Sequence, residues 1–293
     1  MSAPGPVDPA SAGFRRTPDR AGMTRVVARI LARDARSADP LRCARSGVEA
    51  ILPAVLGLVR ARPSLPAGDR DGPVHRRCRI RRRPDGAAPP APRSTARAGW
   101  ELTVVVVHVD RWEVTHWLAH HLERTGGAER TGGAGAECAG GTGAGAERAG
   151  AGGDSRARAG KNGFRAPGAG ANADADAAAR LRIDAADLSA WARAGADPGA
   201  IHLRPGAAQA AGLAVGGDEV VAHGLLLAAL SLAVVPPERT RGVDLRFTAP
   251  VAVPLAGGSA EVAVTGRGDL ADRRGTALRR TAAPTGASAA PDR

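Results

Sequence analysis

The chain has 293 residues, a formal charge of +12, 2% aromatic residues, no tyrosine and a single lysine, Lys161. That length holds one large domain or two small ones. The charge would ordinarily point to nucleic acid, but in a chain rich in Ala, Gly, Pro and Arg it reads as nucleotide bias in the gene, and the recognition modules of nucleic-acid binders are missing, so nucleic acid is disfavoured as a partner.

Residues 1–22 are Pro/Ala/Gly-rich without periodicity and read as a disordered arm. Residues 26–36 and 47–60 carry helical patterning; the second stretch is mostly apolar, and Pro53 must kink it or sit in its first turn. Val74 to Arg83 alternates weakly, with Val74, Arg76, Cys78 and Ile80 on one face, and predicts a strand with a basic outer face. Those arginines suit either phosphate contacts or plain solvation. Pro84 to Ala98 reads as a loop. Leu102 to Val109, rich in β-branched residues, predicts the clearest strand of this half, and Trp112 to Leu118 predicts another.

Residues 123–178 are of low complexity: Glu-Arg-Thr-Gly-Gly-Ala at 123 repeats at 129, then decays into Gly and Ala. Such a segment cannot bury enough apolar surface to offset its chain entropy, so it reads as a linker between two units, residues 23–122 and 179–280. In the second unit Asp184 and Asp187 predict a capped helix start, with Ile183 and Leu188 placed as a hydrophobic staple. Ala194-Gly195 ends that helix. Pro205 and Gly212 bracket a short one. Gly224 to Val235 predicts a helix apolar on every side, which protein must enclose. Val243-Leu245-Phe247 and Val262-Val264 alternate as strands, residues 275–280 suggest an edge strand, and residues 281–293 a tail.

Cys43, Cys78 and Cys138 form neither a C-x-x-C pair nor an even framework and read as reduced thiols of a cytoplasmic protein. No apolar h-region opens the chain, and the longest apolar run falls short of the ~20 residues of a membrane span.

Chemistry concentrates between Trp191 and Val235. Asp197 and His202 share one tight Pro-Gly loop, where an acid and an imidazole can grip one water; Gly224 opens the apolar helix and can offer its N–H to developing negative charge. Asp197-Pro-Gly-Ala-Ile-His202 resembles the hydratase-2 motif of the MaoC-like enoyl-thioester hydratases, written D-x-N-P-I-H. Val221-Ala-His-Gly-Leu225 is similar to their A-H-G-M segment at the expected distance downstream, and Val243 to Val251 to the strand that follows. The resemblance implies an α+β hot-dog fold, an antiparallel sheet wrapped around a central helix. It is double if residues 23–122 are a degenerate first unit rather than an unrelated extension. It further implies Asp197 and His202 as the acid/base pair of (R)-specific hydration of trans-2-enoyl thioesters, Gly224 as oxyanion donor and His223 in orientation or packing. The substrate would be an acyl-CoA or acyl carrier protein thioester, with no metal or redox cofactor, and the chain a monomer or homodimer. Departures from the family pattern are Gly199 and Ala200 for Asn-Pro, Arg204 for an acidic residue, and Leu232 for a polar one, with Ser231 adjacent. A catalytically inactive thioester-binding protein of the same fold is the alternative.

Outside that stretch, Glu113, His116 and His120 have metal-like spacing without the second carboxylate cluster of a metal site. Arg267-Gly-Asp269 reads as a chance triplet, and Gly160-Lys161 fits no phosphate-binding loop.

Overall fold

The structure is a computed structural model, and it describes residues 17–34, 36–62, 74–83, 86, 88–97, 100–121, 177–237 and 242–283. Most of the expected arm, linker and tail lies outside these residues.

The first helix, α1 (Arg20–Leu31), is capped by Asp19, whose carboxylate accepts from Gly22 N–H at 2.9 Å. Its Met23, Val26, Val27, Ile30 and Leu31 recur at helical spacing and are buried. It begins inside the stretch expected to be an arm. Next, α2 (Pro40–Ala61) starts well before Gly47, because Asp39 caps it by accepting from Arg42 N–H at 3.0 Å and Pro40 fits its first turn. Pro53 lies in its interior rather than its first turn.

Four strands follow: β1 (Val74–Arg82), β2 (Arg93–Arg97), β3 (Trp100–Val109) and β4 (Trp112–His121). β2 falls within the segment expected to be a Pro-rich loop and pairs along β3 from Arg93↔Val104 to Arg97↔Trp100. After the low-complexity segment come β5 (Ala177–Asp184) and α3 (Ala185–Gly195). The capping box is present: Asp184 accepts from Asp187 N–H, and Asp187 from Asp184 N–H. Asp187 is fully buried and also takes Arg29 and Arg33 from α1. A single 3-10 turn (Ala200–His202) and α4 (Ala207–Ala210) lead to β6 (Glu219–Val221), then α5 (Gly224–Val234). The chain closes with β7 (Val243–Phe247), β8 (Ala252–Pro254), β9 (Ser259–Thr265), β10 (Leu270–Asp272) and β11 (Gly275–Ala282).

Nine strands form one sheet in the order β2-β3-β4-β1-β7-β11-β10-β9-β5, all neighbours antiparallel; β6 and β8 pair separately. Helix α2 packs on β1, β3 and β4 of the first half, α5 contacts β11 of the second, and the two helices pack on each other. The pairing of β1 with β7, from Arg77↔Arg246 to Ile80↔Val243, joins the halves. This is an α+β hot-dog architecture, with the two helices packed on one antiparallel sheet. Residues Leu225 to Ala233 are buried on every side of α5. The two helices touch backbone to backbone at Gly47, where a Cβ would lie 2.3 Å from the Ala229 carbonyl oxygen.

β11 lies between β7 and β10 and runs to Ala282, so it is an interior strand and extends past the expected start of the tail. The edges are β2 and β5. The β5 edge is covered by the end of α1 and the turn after it: Arg180 N–H donates to Asp34, and Arg33 and Arg36 donate to the Arg182 and Ala177 carbonyls.

The expected inner face of β1 is corrected by a bulge between His75 and Arg77. Cys78↔His116 and Ile80↔Val114 face the core, whereas Arg77↔Trp117, Arg79↔Thr115 and Arg81↔Glu113 face outward. The extra residue, Arg76, shifts the parity so that His75 joins Cys78 on the inner face.

Candidate active site

The loop between α3 and the 3-10 turn is made locally. Ala196 takes a left-handed conformation after α3, and Asp197 N–H returns to the Ala192 carbonyl at 3.0 Å. Pro198 prevents the helix from continuing. His202 N–H then closes on the Gly199 carbonyl at 3.1 Å. A Cβ on Gly199 would stand 3.1 Å from the His202 ring, so the glycine lets the imidazole fold back toward Asp197.

These turns gather the residues singled out by sequence. One ligand-type atom each of Asp197, His202 and His223 lies within 4.8 Å of the others. A water bonded at ~2.8 Å to two such groups spans that gap. His202 Nδ1 donates to the Val221 carbonyl at 2.6 Å, which fixes the tautomer and leaves Nε2 as a lone pair. His223 Nε2 donates to the Asp197 main-chain carbonyl at 3.2 Å, and its ring stacks on His202 at 3.7 Å between centroids. His223 therefore braces both the loop and the other ring. Gly224 starts α5 beside them, where first-turn N–H groups lack intrahelical acceptors. A Cβ there would meet the Phe247 ring at 3.0 Å, so packing alone also requires a small residue.

A cavity of about 100 Å³ opens onto this group. Its wall comes from both halves: Leu58, Arg62, His75 and Leu118 from the first, Leu225 and Val251 among others from the second. Arg62 was not foreseen. It follows α2, far from Asp197 in sequence, and nothing in local patterning marks it. Its guanidinium donates at 2.5 Å both to the Asp197 carboxylate and to the Ala196 carbonyl. Arg62 and His223 thus tie down the loop in which Gly199 stands where the resembled motif has Asn. The remaining departures lie away from the cavity lining: Arg204 is exposed, Leu232 is buried in α5, and Ser231 donates to the Gly268 carbonyl at 2.5 Å.

Burial pushes the His202 and His223 imidazoles down, His223 to about 3, so both are neutral near pH 7. Burial also works against charge on Asp197, but the groups it faces, His223 and His202 in the acidic range where they are protonated and Arg62 at every pH, outweigh it and hold the carboxyl below its ordinary value. Of these, only Arg62 carries a permanent charge. The site is therefore an ionised acid beside a neutral base.

Asp197, His202 and His223 also make a metal-type donor set, but their geometry does not fit an ion. The two rings lie 22° from parallel and face to face, so their in-plane lone pairs diverge, and Arg62 already neutralises the carboxylate. The Glu113/His116/His120 spacing falls on β4, where Glu113 pairs outward with Arg81 while His116 faces inward. The Arg267-Gly-Asp269 triplet is a tight turn: Gly268 has φ +82° and Asp269 accepts from Arg280 N–H at 2.8 Å.

No family model and no curated protein matches the chain. Two crystal structures of HtdX from Mycobacterium tuberculosis match at 20% and 22% identity, each with a TM-score of 0.45, covering 90% of this chain and 95% of that one. A structure described as a MaoC-like dehydratase matches at 16% identity and a TM-score of 0.39, covering 90% of each chain. At these values the likeness assigns no role to any residue.

Proposed function

We propose that the chain is a MaoC-like hydro-lyase that hydrates trans-2-enoyl thioesters to (R)-3-hydroxyacyl thioesters and catalyses the reverse dehydration. The observation that carries this reading is the convergence of the Asp197 carboxylate, the free Nε2 of His202 and the N-terminus of α5 at one cavity. A water held between Asp197 and His202 is polarised by both. As its oxygen bonds to Cβ, its proton passes to His202 Nε2, and Asp197 offsets the imidazolium. The Cα–Cβ π pair moves toward the thioester carbonyl, where the Gly224 N–H and the positive end of α5 meet the developing charge. The pair returns to Cα, which takes the proton from His202 on the same face. Water has added, and the imidazole is neutral again.

The thioester acidifies its own Cα, so this chemistry calls for no redox cofactor or metal. Substrates are acyl groups carried on coenzyme A or an acyl carrier protein. A cavity of about 100 Å³ suits a short acyl group, since a cavity of ~150 Å³ takes a benzene. No helix among the described residues is long and apolar enough to cross a membrane. The reaction is one of fatty-acid or polyketide-type metabolism. The double architecture lets a monomer supply both halves, and a homodimer is compatible with it.

A second reading, a thioester-binding protein without turnover, is favoured by the Arg62–Asp197 pair, which engages the carboxylate a water would need. Incubating the full chain with crotonyl-CoA separates the two. Loss of enone absorbance with (R)-3-hydroxybutyryl-CoA as product supports the hydratase. Saturable binding without turnover supports the second reading. The (S) product would overturn the assigned face.

A further inference from the structure

We propose that His75, Cys78 and His116, on the inner face of β1 and β4, form a binding site for a thiophilic divalent cation of the zinc class. The site is separate from the acid/base pair and lies in the half that carries no acid/base loop.

Three observations converge. Cys78 and His116 are direct cross-strand partners and both are fully buried. The β1 bulge brings His75 onto the same face, and one donor atom from each of the three lies within 4.8 Å of the others. His75 Nε2 and His116 Nδ1 stand 3.1 Å apart. In a tetrahedral site with ~2.0–2.1 Å Zn–N bonds, two nitrogens are about 3.3 Å apart, so they need to spread by only a few tenths of an ångström. Their rings are tilted by 45° rather than stacked, which lets in-plane lone pairs meet at one point. In this respect the cluster differs from His202 and His223.

The surroundings support the same assignment. His75 also hydrogen-bonds to the Arg77 main chain, the kind of outer-shell support that orients a metal-binding imidazole. His75 also lines the cavity, which supplies an entry path and room for a water as fourth ligand. The arginines flanking Cys78, Arg77 and Arg79, are turned to the outer face and paired with Asp244, and Arg76, which follows His75 and also borders the cavity, lies over the Trp100 ring at 5.0 Å. Without an ion, the core holds two imidazoles and a thiol, with His116 Nε2 turned away from the cluster toward Gly57 of α2. Burial and Asp244 push the Cys78 thiol well up, so the thiolate forms only as the ion binds; one proton leaves to solvent per ion bound.

The test is cobalt(II) titration of the full chain after chelator treatment, followed by zinc(II) displacement. Expected are a thiolate-to-cobalt band in the near ultraviolet and intense tetrahedral d–d bands, both erased by zinc. Cys78→Ser should abolish the thiolate band, and affinity should fall by at least ~100-fold, since loss of outer-shell partners alone costs 10–100-fold. His75→Gln, at the cavity wall, keeps the buried pair intact and should weaken binding while retaining the band at saturation. Asp197→Asn, which removes a charge facing His75 but no ligand, should keep the band. A wild-type chain without the band overturns the assignment, as does a band that persists in Cys78→Ser or disappears in Asp197→Asn.

Discussion

Gly224 carries two separable demands, and a pair of substitutions distinguishes them. Alanine adds a Cβ 3.0–3.2 Å from three atoms of the Phe247 ring, inside the ~3.5–4.0 Å of ordinary carbon contact. The ring has room to tilt, because Phe247 ends β7 and is only half-buried. The overpacking cost should therefore lie near the low end of ~1–3 kcal/mol. Proline brings a similar Cβ and also removes the N–H. The backbone accepts it: position 224 is the first of α5, and His223 before it is extended at φ −61° and ψ 129°. Both variants should lose similar stability in a thermal melt. In the crotonyl-CoA assay, Gly224→Pro should have a kcat ~100–1,000-fold below that of Gly224→Ala, the cost of losing one oxyanion donor. Equal kcat in two equally stable variants would refute the donor role and leave packing as the whole reason for the glycine.

Other perturbations have definite expected outcomes. Arg62→Gln removes the permanent cation from Asp197, whose carboxyl is held low; turnover needs the ionised form and fails as pH falls through that pKa, so the acidic limb of kcat/KM should move to higher pH. An unmoved limb would show that the pair is not kept in the working enzyme. Gly47→Val drives a side chain into the Ala229 carbonyl and should cost ~3 kcal/mol, lowering Tm by roughly 6–12 °C. Asp244 is held low despite burial by Arg77 and Arg79, so its contribution is present above the ordinary carboxylate range and lost as pH falls through the folded value. In urea melts Asp244→Asn should cost about 3–5 kcal/mol at pH 7, with the gap closing in acid; a gap independent of pH would place the loss in packing.

The second half was the more legible. The Asp184/Asp187 capping box, the Pro198 break and the all-round apolar α5 are local signals, each readable from a few consecutive residues. So was the gathering of Asp197, His202 and Gly224, because one loop and one helix start hold them. What escaped depends on distant partners. β2 is an exposed Arg-Ser-Thr-Ala-Arg run that becomes a strand only by pairing with β3, and the last residues of the low-complexity segment become β5 by pairing with β9. The apparent edge over residues 275–280 is interior because β7 and β10 flank it. Arg62 reaches Asp197 across the halves, and the bulge that turns His75 inward depends on register with β4. A helical ligand spacing at Glu113 and His116 lost its meaning once β4 put the two residues on opposite faces.

The most direct test of the central claim is hydration of crotonyl-CoA by the wild type beside Asp197→Asn and His202→Ala, with folding of each verified by its melt. The account predicts wild-type turnover that falls by several orders of magnitude in both variants while thioester binding is retained. Turnover that survives in both variants would contradict it and move the chemistry to other residues.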